Sequence, residues 1–217
     1  MKTLNIRRHT QAGFTIIELL IATAVFSVIL IIVTTGIMAF TEDYYRGINE
    51  SNAQSIARTI LNDIAQGIQF GSATNGYVQT TNLSTPEGGI CINNVLYSYV
   101  LGKEVEPTPS SSQTPHAMVL QASPDCSSAT DAIDVTNLTT LSAGQQELLT
   151  TNMRLANLSV TTLSASYPQA YQIDVRVVYG DDDLLSNPTQ PTASCINGAG
   201  SQFCAVSDLS TVVEKRL

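Results

Sequence analysis

The sequence predicts an α+β protein in which one long N-terminal helix precedes a mainly antiparallel β-sheet. Three observations carry that expectation. Residues 13–40 form an apolar run with a single carboxylate, Glu18, and no charge from Leu19 to Thr41. An apolar periodicity of three- and four-residue steps then continues to Ile68. From residue 89 onward, short strand-like runs punctuated by Gly, Pro and Asn replace it.

The first element is the run over 14–40. As a helix it reaches roughly 40 Å, enough to cross a hydrocarbon core of about 30 Å. In lipid only a helix satisfies the backbone of such a segment. The basic, acid-free leader, with Lys2, Arg7 and Arg8, keeps the N-terminus in the cytoplasm and sends the remainder outside. Thr34-Thr35-Gly36 is a soft spot in mid-run.

The helix is expected to continue. Glu42, Asp43, Tyr44, Tyr45 and Arg46 mark the outer interface, with the tyrosines as headgroup anchors. Ile48, Ala53, Ile56, Ala57, Ile60, Leu61, Ile64, Ala65 and Ile68 then place one apolar face on a second, amphipathic half. Gly67 and Gly71 signal its end, so one helix is read over 14–70.

The strands follow. Residues 89–92 and 95–101 flank an Asn93-Asn94 turn and predict a hairpin. Residues 104–115 are a Pro/Ser-rich loop, and 117–121 a short strand. Residues 123–152 read as loop with a short helix over 143–149, where Ser142 and Gln145 form a capping pair. Residues 153–165 read as a strand with a bulge, presenting Met153, Leu155, Val160 and Leu163. Residues 171–179 give the cleanest alternation in the chain, with Tyr171, Ile173, Val175, Val177 and Tyr179 on one face. A long polar loop over 180–202 and a final strand over 203–217 complete the order.

Composition restricts function. The chain has 217 residues, ten Lys and Arg against 18 Asp and Glu, and a net charge of −8. Three of the ten cations lie in the leader, so a chain without it is more acidic still. Such a balance argues against electrostatic binding of nucleic acid, which needs Lys and Arg on phosphates. Abundant Thr, Ser, Asn and Gln with only 13 % charged residues fits an exported, uncharged polar surface.

Four cysteines, Cys91, Cys126, Cys195 and Cys204, all follow the apolar run, and an even number on the exported side favours two disulfides. Three connectivities are possible. Cys195–Cys204 is the local pair, and Cys91–Cys126 is what then remains. A zinc site is disfavoured, because there is no C-x2-C spacing and His116 is the one histidine beyond the leader. Asp181-Asp182-Asp183 is the only dense acidic cluster; it lacks EF-hand spacing and reads as a solvated turn, with Asp181 and Asp183 a weak Ca2+ candidate. Asn82, Asn137 and Asn157 stand in formal sequons that read as chance. No catalytic motif is present, no catalytic residue is assigned, no cofactor is expected, and the chain is read as not an enzyme.

Glu18 is the anomaly. A carboxylate at mid-bilayer costs about 2.5–3.5 kcal/mol, and an ionisable residue there calls for a partner. A cut after Gly13 would create an α-amine on Phe14 and leave Glu18 in the first helical turns, where the dipole favours an anion. In a bundle of such helices, the amine of one chain neutralises Glu18 of the next. The stretch G-F-T-I-I-E-L-L-I-A, behind Arg7 and Arg8, resembles the N-terminus of type IV pilins and type II secretion pseudopilins: small residue at the cut, aromatic, Glu four residues on. The resemblance covers residues 1–40 closely and the rest in general plan. It implies the pilin fold, leader cleavage between Gly13 and Phe14, N-methylation of Phe14, and a retained membrane helix. It also implies assembly into a filament through Glu18 by an inner-membrane platform.

The resulting division is 1–13 cleaved leader, 14–40 transmembrane and filament-core helix, 41–70 amphipathic continuation, and 71–217 β-rich extracytoplasmic domain. The partners implied are other pilin subunits through their N-terminal helices, a prepilin peptidase that also methylates, and the assembly platform. The location implied is a single-pass inner-membrane protein with its C-terminus outside, then a surface or periplasmic filament. Size, long loops and cysteines resemble a minor pilin of the W or J type. A minor pseudopilin of a type II secretion system and a membrane-anchored binding domain are the alternatives. An ordinary secretory cleavage after Ala39 fits poorly, because the apolar run is about twice too long for such a signal.

Overall fold

The computed structural model describes residues 13–71, 78–81, 87–106, 115–122, 135, 137–164 and 167–216. The chain divides into two compact units, Met1–Asp43 and Tyr44–Leu217. One helix, α1 (Ile16–Phe70), belongs to both. The strands are β1 (Val78–Thr81), β2 (Glu87–Ile92), β3 (Val95–Val100), β4 (Met118–Ala122), β5 (Gln145–Glu147), β6 (Met153–Ser164), β7 (Tyr167–Tyr179), β8 (Leu185–Ser186), β9 (Ser194–Cys195) and β10 (Ala205–Glu214). A long apolar N-terminal helix and antiparallel sheets give an α+β architecture, consistent with the fold that the resemblance implies.

In the first unit the apolar stretch of α1 is exposed along its whole length. It is long and apolar enough to cross a membrane. Its hydroxyls are satisfied within the helix: Thr23, Ser27, Thr34, Thr35 and Thr41 donate to carbonyls three or four residues back at 2.7–3.0 Å. That matters in an apolar medium, where an unpaired hydroxyl is costly. The expected soft spot at Thr34-Thr35-Gly36 is regular α-helix.

In the second unit the same helix buries Asn49, Ala53, Ala57, Ile60, Leu61, Ile64 and Ile68. These residues sit at the three- and four-residue spacing of one face. Ala57, Ile60, Leu61, Ile64 and Ile68 share one core with Ile90, Ile92, Tyr97, Leu155, Leu158, Val160, Ile173 and Val175 of the sheets. Each fully buried Ile or Leu there contributes about 1.5–3 kcal/mol. Tyr97 Oη donates to Asp63 Oδ2 at 2.8 Å, tying β3 to the helix. Gly67 does not end the helix. A Cβ at that position would lie 2.7 Å from Ile92 Cγ2, so glycine permits close approach of helix and sheet.

The first sheet runs β1-β2-β3-β4-β5, all antiparallel. Its β2–β3 hairpin turns on Asn93 (φ 51°) and Asn94 (φ 63°). Asparagine tolerates this left-handed pair, which matches the twist of the strands. The second sheet has the order β10-β7-β6. Residues 102–105 lie along β6: Gly102 N–H donates to Leu155 O at 2.8 Å, and Val105 N–H to Met153 O at 2.9 Å. The register of β6 slips between Leu155 and Asn157, which is the expected bulge. Leu158 and Val160 therefore stay on the core face, whereas Leu163, expected there, is exposed.

The helix expected over 143–149 is absent. Ala143-Gly144 make a turn, with Gly144 at φ 86°, and Gln145–Glu147 pair with β4 as β5. Ser142 and Gln145 do bond, since Ser142 N–H donates to Gln145 Oε1 at 2.8 Å, but the pair closes a β-turn. Capping chemistry at residue three serves a turn as well as a helix, and the sheet edge on β4 decides between them.

The expected polar loop over 180–202 folds back on the second sheet. It carries the β8–β9 ribbon, and Leu185 and Ala193 from it pack on Ala156, Val178 and Cys204 as a second small core. Cys195 and Cys204 form a disulfide with Cα atoms 5.7 Å apart. Cys91 is disulfide-bonded; Cys126, expected to be its partner, lies outside the described residues.

Candidate functional site

The candidate site is the start of α1. The helix begins at Ile16, so Gly13, Phe14 and Thr15 are non-helical. Thr15 explains the boundary. Its N–H and its hydroxyl donate to Glu18 Oε2 at 2.9 and 2.7 Å, and Glu18 N–H donates to Thr15 Oγ1 at 3.3 Å. This is a capping box: N-cap threonine and third-residue glutamate satisfy each other's otherwise orphaned donors. The sequence reading missed Thr15, although T-x-x-E ahead of an apolar run signals it.

The cap fixes two further features. It places Glu18 in the first turn, where the helix dipole favours the carboxylate. It also keeps the Gly13–Phe14 peptide bond outside the helix. A Cβ on Gly13 would meet nothing within 4 Å, so the fold itself does not demand glycine there. Phe14 is 84 % exposed among the described residues. The expected leader cations Lys2, Arg7 and Arg8 lie outside the described residues.

Several ionisable groups of the second unit form structural pairs. Arg154, 1 % exposed, donates to Glu104 Oε2 at 2.6 Å, to Gly180 O at 2.9 Å and to Asp182 Oδ1. Burial pushes the Glu104 carboxyl above its ordinary value, and Arg154 opposes that shift. No period flags a buried arginine in β6; the one signal is that Arg154 is the single charged residue of that strand. Asp181 accepts from Asn152 Nδ2 at 3.3 Å. The acidic cluster is thus spread over separate partners. Among the described residues no three His, Cys, Asp or Glu side chains converge as metal ligands.

His116 Nδ1 lies 3.4 Å from Glu147 Oε2. The Glu147 oxygens also accept from the N–H groups of Ala117, Met118 and Leu149 at 2.9–3.2 Å. Burial raises the Glu147 carboxyl against those three donors. Burial, and then the Lys103 ammonium, hold His116 below its ordinary value. Glu147 is therefore an anchor for backbone donors between β4 and β5, rather than a base with an open lone pair.

Comparison with known families bears on the N-terminal site. Residues 8–34 match the family described as the prokaryotic N-terminal methylation motif. The match includes Gly13, Phe14, Thr15 and Glu18 and ends within the apolar part of α1. No curated protein and no solved structure matches the chain.

Proposed function

We propose that this chain, which carries the prepilin-type methylation signal of type IV pilins and pseudopilins over residues 8–34, is a structural, minor subunit of a type IV pilus-like filament. The observation that carries the reading is the capped start of α1. It sets an exposed Gly13–Phe14 bond immediately ahead of a helix whose first turn holds Glu18.

The chain inserts through residues 14–40, with its basic leader in the cytoplasm and Tyr44–Leu217 outside. A prepilin peptidase cuts between Gly13 and Phe14, and the new Phe14 amine is methylated. The assembly platform then draws the apolar helix from lipid into a core of like helices. There Glu18 of one subunit meets the Phe14 ammonium of its neighbour, which removes the cost of an isolated carboxylate in an apolar core. Thr15 occupies Glu18 Oε2, so the neighbour's ammonium binds at Oε1. The large head and the Cys195–Cys204 disulfide support a minor rather than a small major subunit. The reading assigns no catalytic role.

The test is fractionation of sheared surface fibres and membranes from cells producing the wild type or Glu18→Ala. The wild type is expected in fibres at low abundance and the variant in membranes alone. Equal entry of the variant into fibres would defeat the reading. Loss of the protein should cut fibre number; trapping of exported enzymes with fibres intact would instead assign a type II secretion pseudopilin.

A further inference from the structure

The disulfide loop returns from the far end of the sequence to the point where α1 emerges from its apolar run. Phe203 lies in a single turn of 3-10 helix over Ser201–Phe203, closed by the Cys195–Cys204 disulfide. Its ring centroid is 5.5 Å from that of Tyr45, and Tyr45 is 6.1 Å from Tyr44. The loop is fastened to the helix on either side. Arg46 Nη2 donates to Ser201 Oγ at 3.2 Å, and Asn49 Nδ2 to Gln202 O at 3.0 Å, with Asn49 buried beneath. Yet the three rings remain open: Tyr44 is 57 % exposed, Tyr45 43 % and Phe203 44 %.

We infer that Tyr44, Tyr45 and Phe203 form a composite membrane-interface anchor, so that the disulfide loop itself rests in the phospholipid headgroup layer before filament assembly. The inference rests on the membrane-spanning reading of residues 14–40. Tyr44 and Tyr45 follow Phe40 by four and five residues of one helix, a rise of about 6–7.5 Å. The headgroup layer on each side of the hydrocarbon core is about 5–8 Å thick. With Phe40 at the outer edge of the hydrocarbon core, the rings fall within it, and Phe203, its ring centroid 5.5 Å from that of Tyr45, falls with them. The tyrosine rings, apolar in body with a hydroxyl tip, are suited to that layer, and Phe203 extends their apolar part. Arg46 supplies the matching charge: a guanidinium has five donors, one is given to Ser201, and the others suit lipid phosphate. The tyrosines are legible in the sequence as anchors; the loop that joins them from more than 150 residues away is not.

The chain contains no tryptophan, so each introduced tryptophan is a sole reporter. The full chain carrying Phe203→Trp, Tyr45→Trp, Phe26→Trp or Val212→Trp is reconstituted in phosphatidylcholine–phosphatidylglycerol vesicles. The lipids are brominated at carbons 6,7 or 11,12 of the acyl chain. Phe26→Trp reports the span and Val212→Trp an exposed site on β10. The expected result is at least twofold quenching of Phe203→Trp and Tyr45→Trp by the shallow bromines, less by the deep ones, and none for Val212→Trp. Quenching of Phe26→Trp and Tyr45→Trp with Phe203→Trp unquenched and open to aqueous iodide would overturn the inference and leave the span intact. An unquenched Phe26→Trp would mean that the span reading has failed, and the inference with it.

Discussion

Thr15 and Glu18 lock together at the start of α1, with Glu18 Oε2 accepting both the N–H and the hydroxyl of Thr15. Under the proposed function Glu18 has two separable duties, as the cap seen within its own helix and as a charge offered to a neighbour. The two predict different outcomes. Thr15→Ala removes a cap and costs about 0.5–2 kcal/mol at the helix end. It should leave entry into fibres within about twofold, since packing rather than capping stabilises most helices. Glu18→Gln keeps an acceptor for Thr15 but removes the charge, and should cut entry at least tenfold, a ratio worth about 1.4 kcal/mol. Quantitative blotting of sheared fibres decides, and the reverse ranking would make Glu18 a cap alone.

Gly13 provides the second prediction. Because its added Cβ has nothing within 4 Å, Gly13→Val should insert and fold as the wild type does. It should nevertheless remain uncleaved, since the demand for a small residue then belongs to the peptidase. Gel mobility of the membrane-bound chain, with a folded-state control by intact-disulfide mapping of Cys195–Cys204, separates the two effects.

Arg154 and its partners differ in burial, and the difference is measurable. Arg154 is 1 % exposed while the Asp182 side chain is 74 % exposed. Arg154→Ala opens a cavity in β6 and strips the partly buried Glu104 of its cation, and should cost about 3 kcal/mol. Asp182→Asn removes a solvent-screened partner and should cost under about 1 kcal/mol. Guanidinium unfolding of the detergent-solubilised chain would show both.

Tyr97 and Tyr99 contribute to how stability changes at alkaline pH. Burial first, and then the hydrogen bond and charge of Asp63, raise the Tyr97 hydroxyl above its ordinary 10.0. Burial alone pushes Tyr99 up to about 12. The folded state thus holds these protons more tightly than the unfolded chain. Their contribution is complete below pH 10 and is lost as pH rises through the folded values, each tyrosine adding up to about 1.4 kcal/mol per pH unit to the slope. Tyr97→Phe should cost about 1 kcal/mol at neutral pH, through the lost bond to Asp63, and should flatten that slope. Melting curves from pH 8 to 12 would test the sign.

The parts legible in the sequence share one property: a local period or a local turn sets them. The apolar face of α1, the Asn93-Asn94 hairpin and the alternation of β7 all fall in this class. The bulge in β6 was legible as a break in period, but not the second register shift at the exposed Leu163, nor the burial of Arg154, which pairs regularly with Val178. Residues 143–149 were misread because a Ser-x-x-Gln pair caps a turn or a helix equally well, and only the distant β4 edge selects the strand. Asn49 was passed over as polar in an apolar stripe, yet it is buried because Gln202, 153 residues on, accepts its bond. At the N-terminal site Gly13, Phe14 and Glu18 stood out by type and spacing, whereas the T-x-x-E spacing of Thr15 is the quieter signal of the bonds it makes to Glu18.

The most direct measurement is the intact mass and N-terminal sequence of the protein purified from membranes, with and without a prepilin peptidase. The account predicts a chain that begins at Phe14 and carries one added methyl group when the peptidase is present, and one that keeps its leader when it is absent. A chain that begins at Met1 under both conditions, or that begins after Ala39, would contradict it.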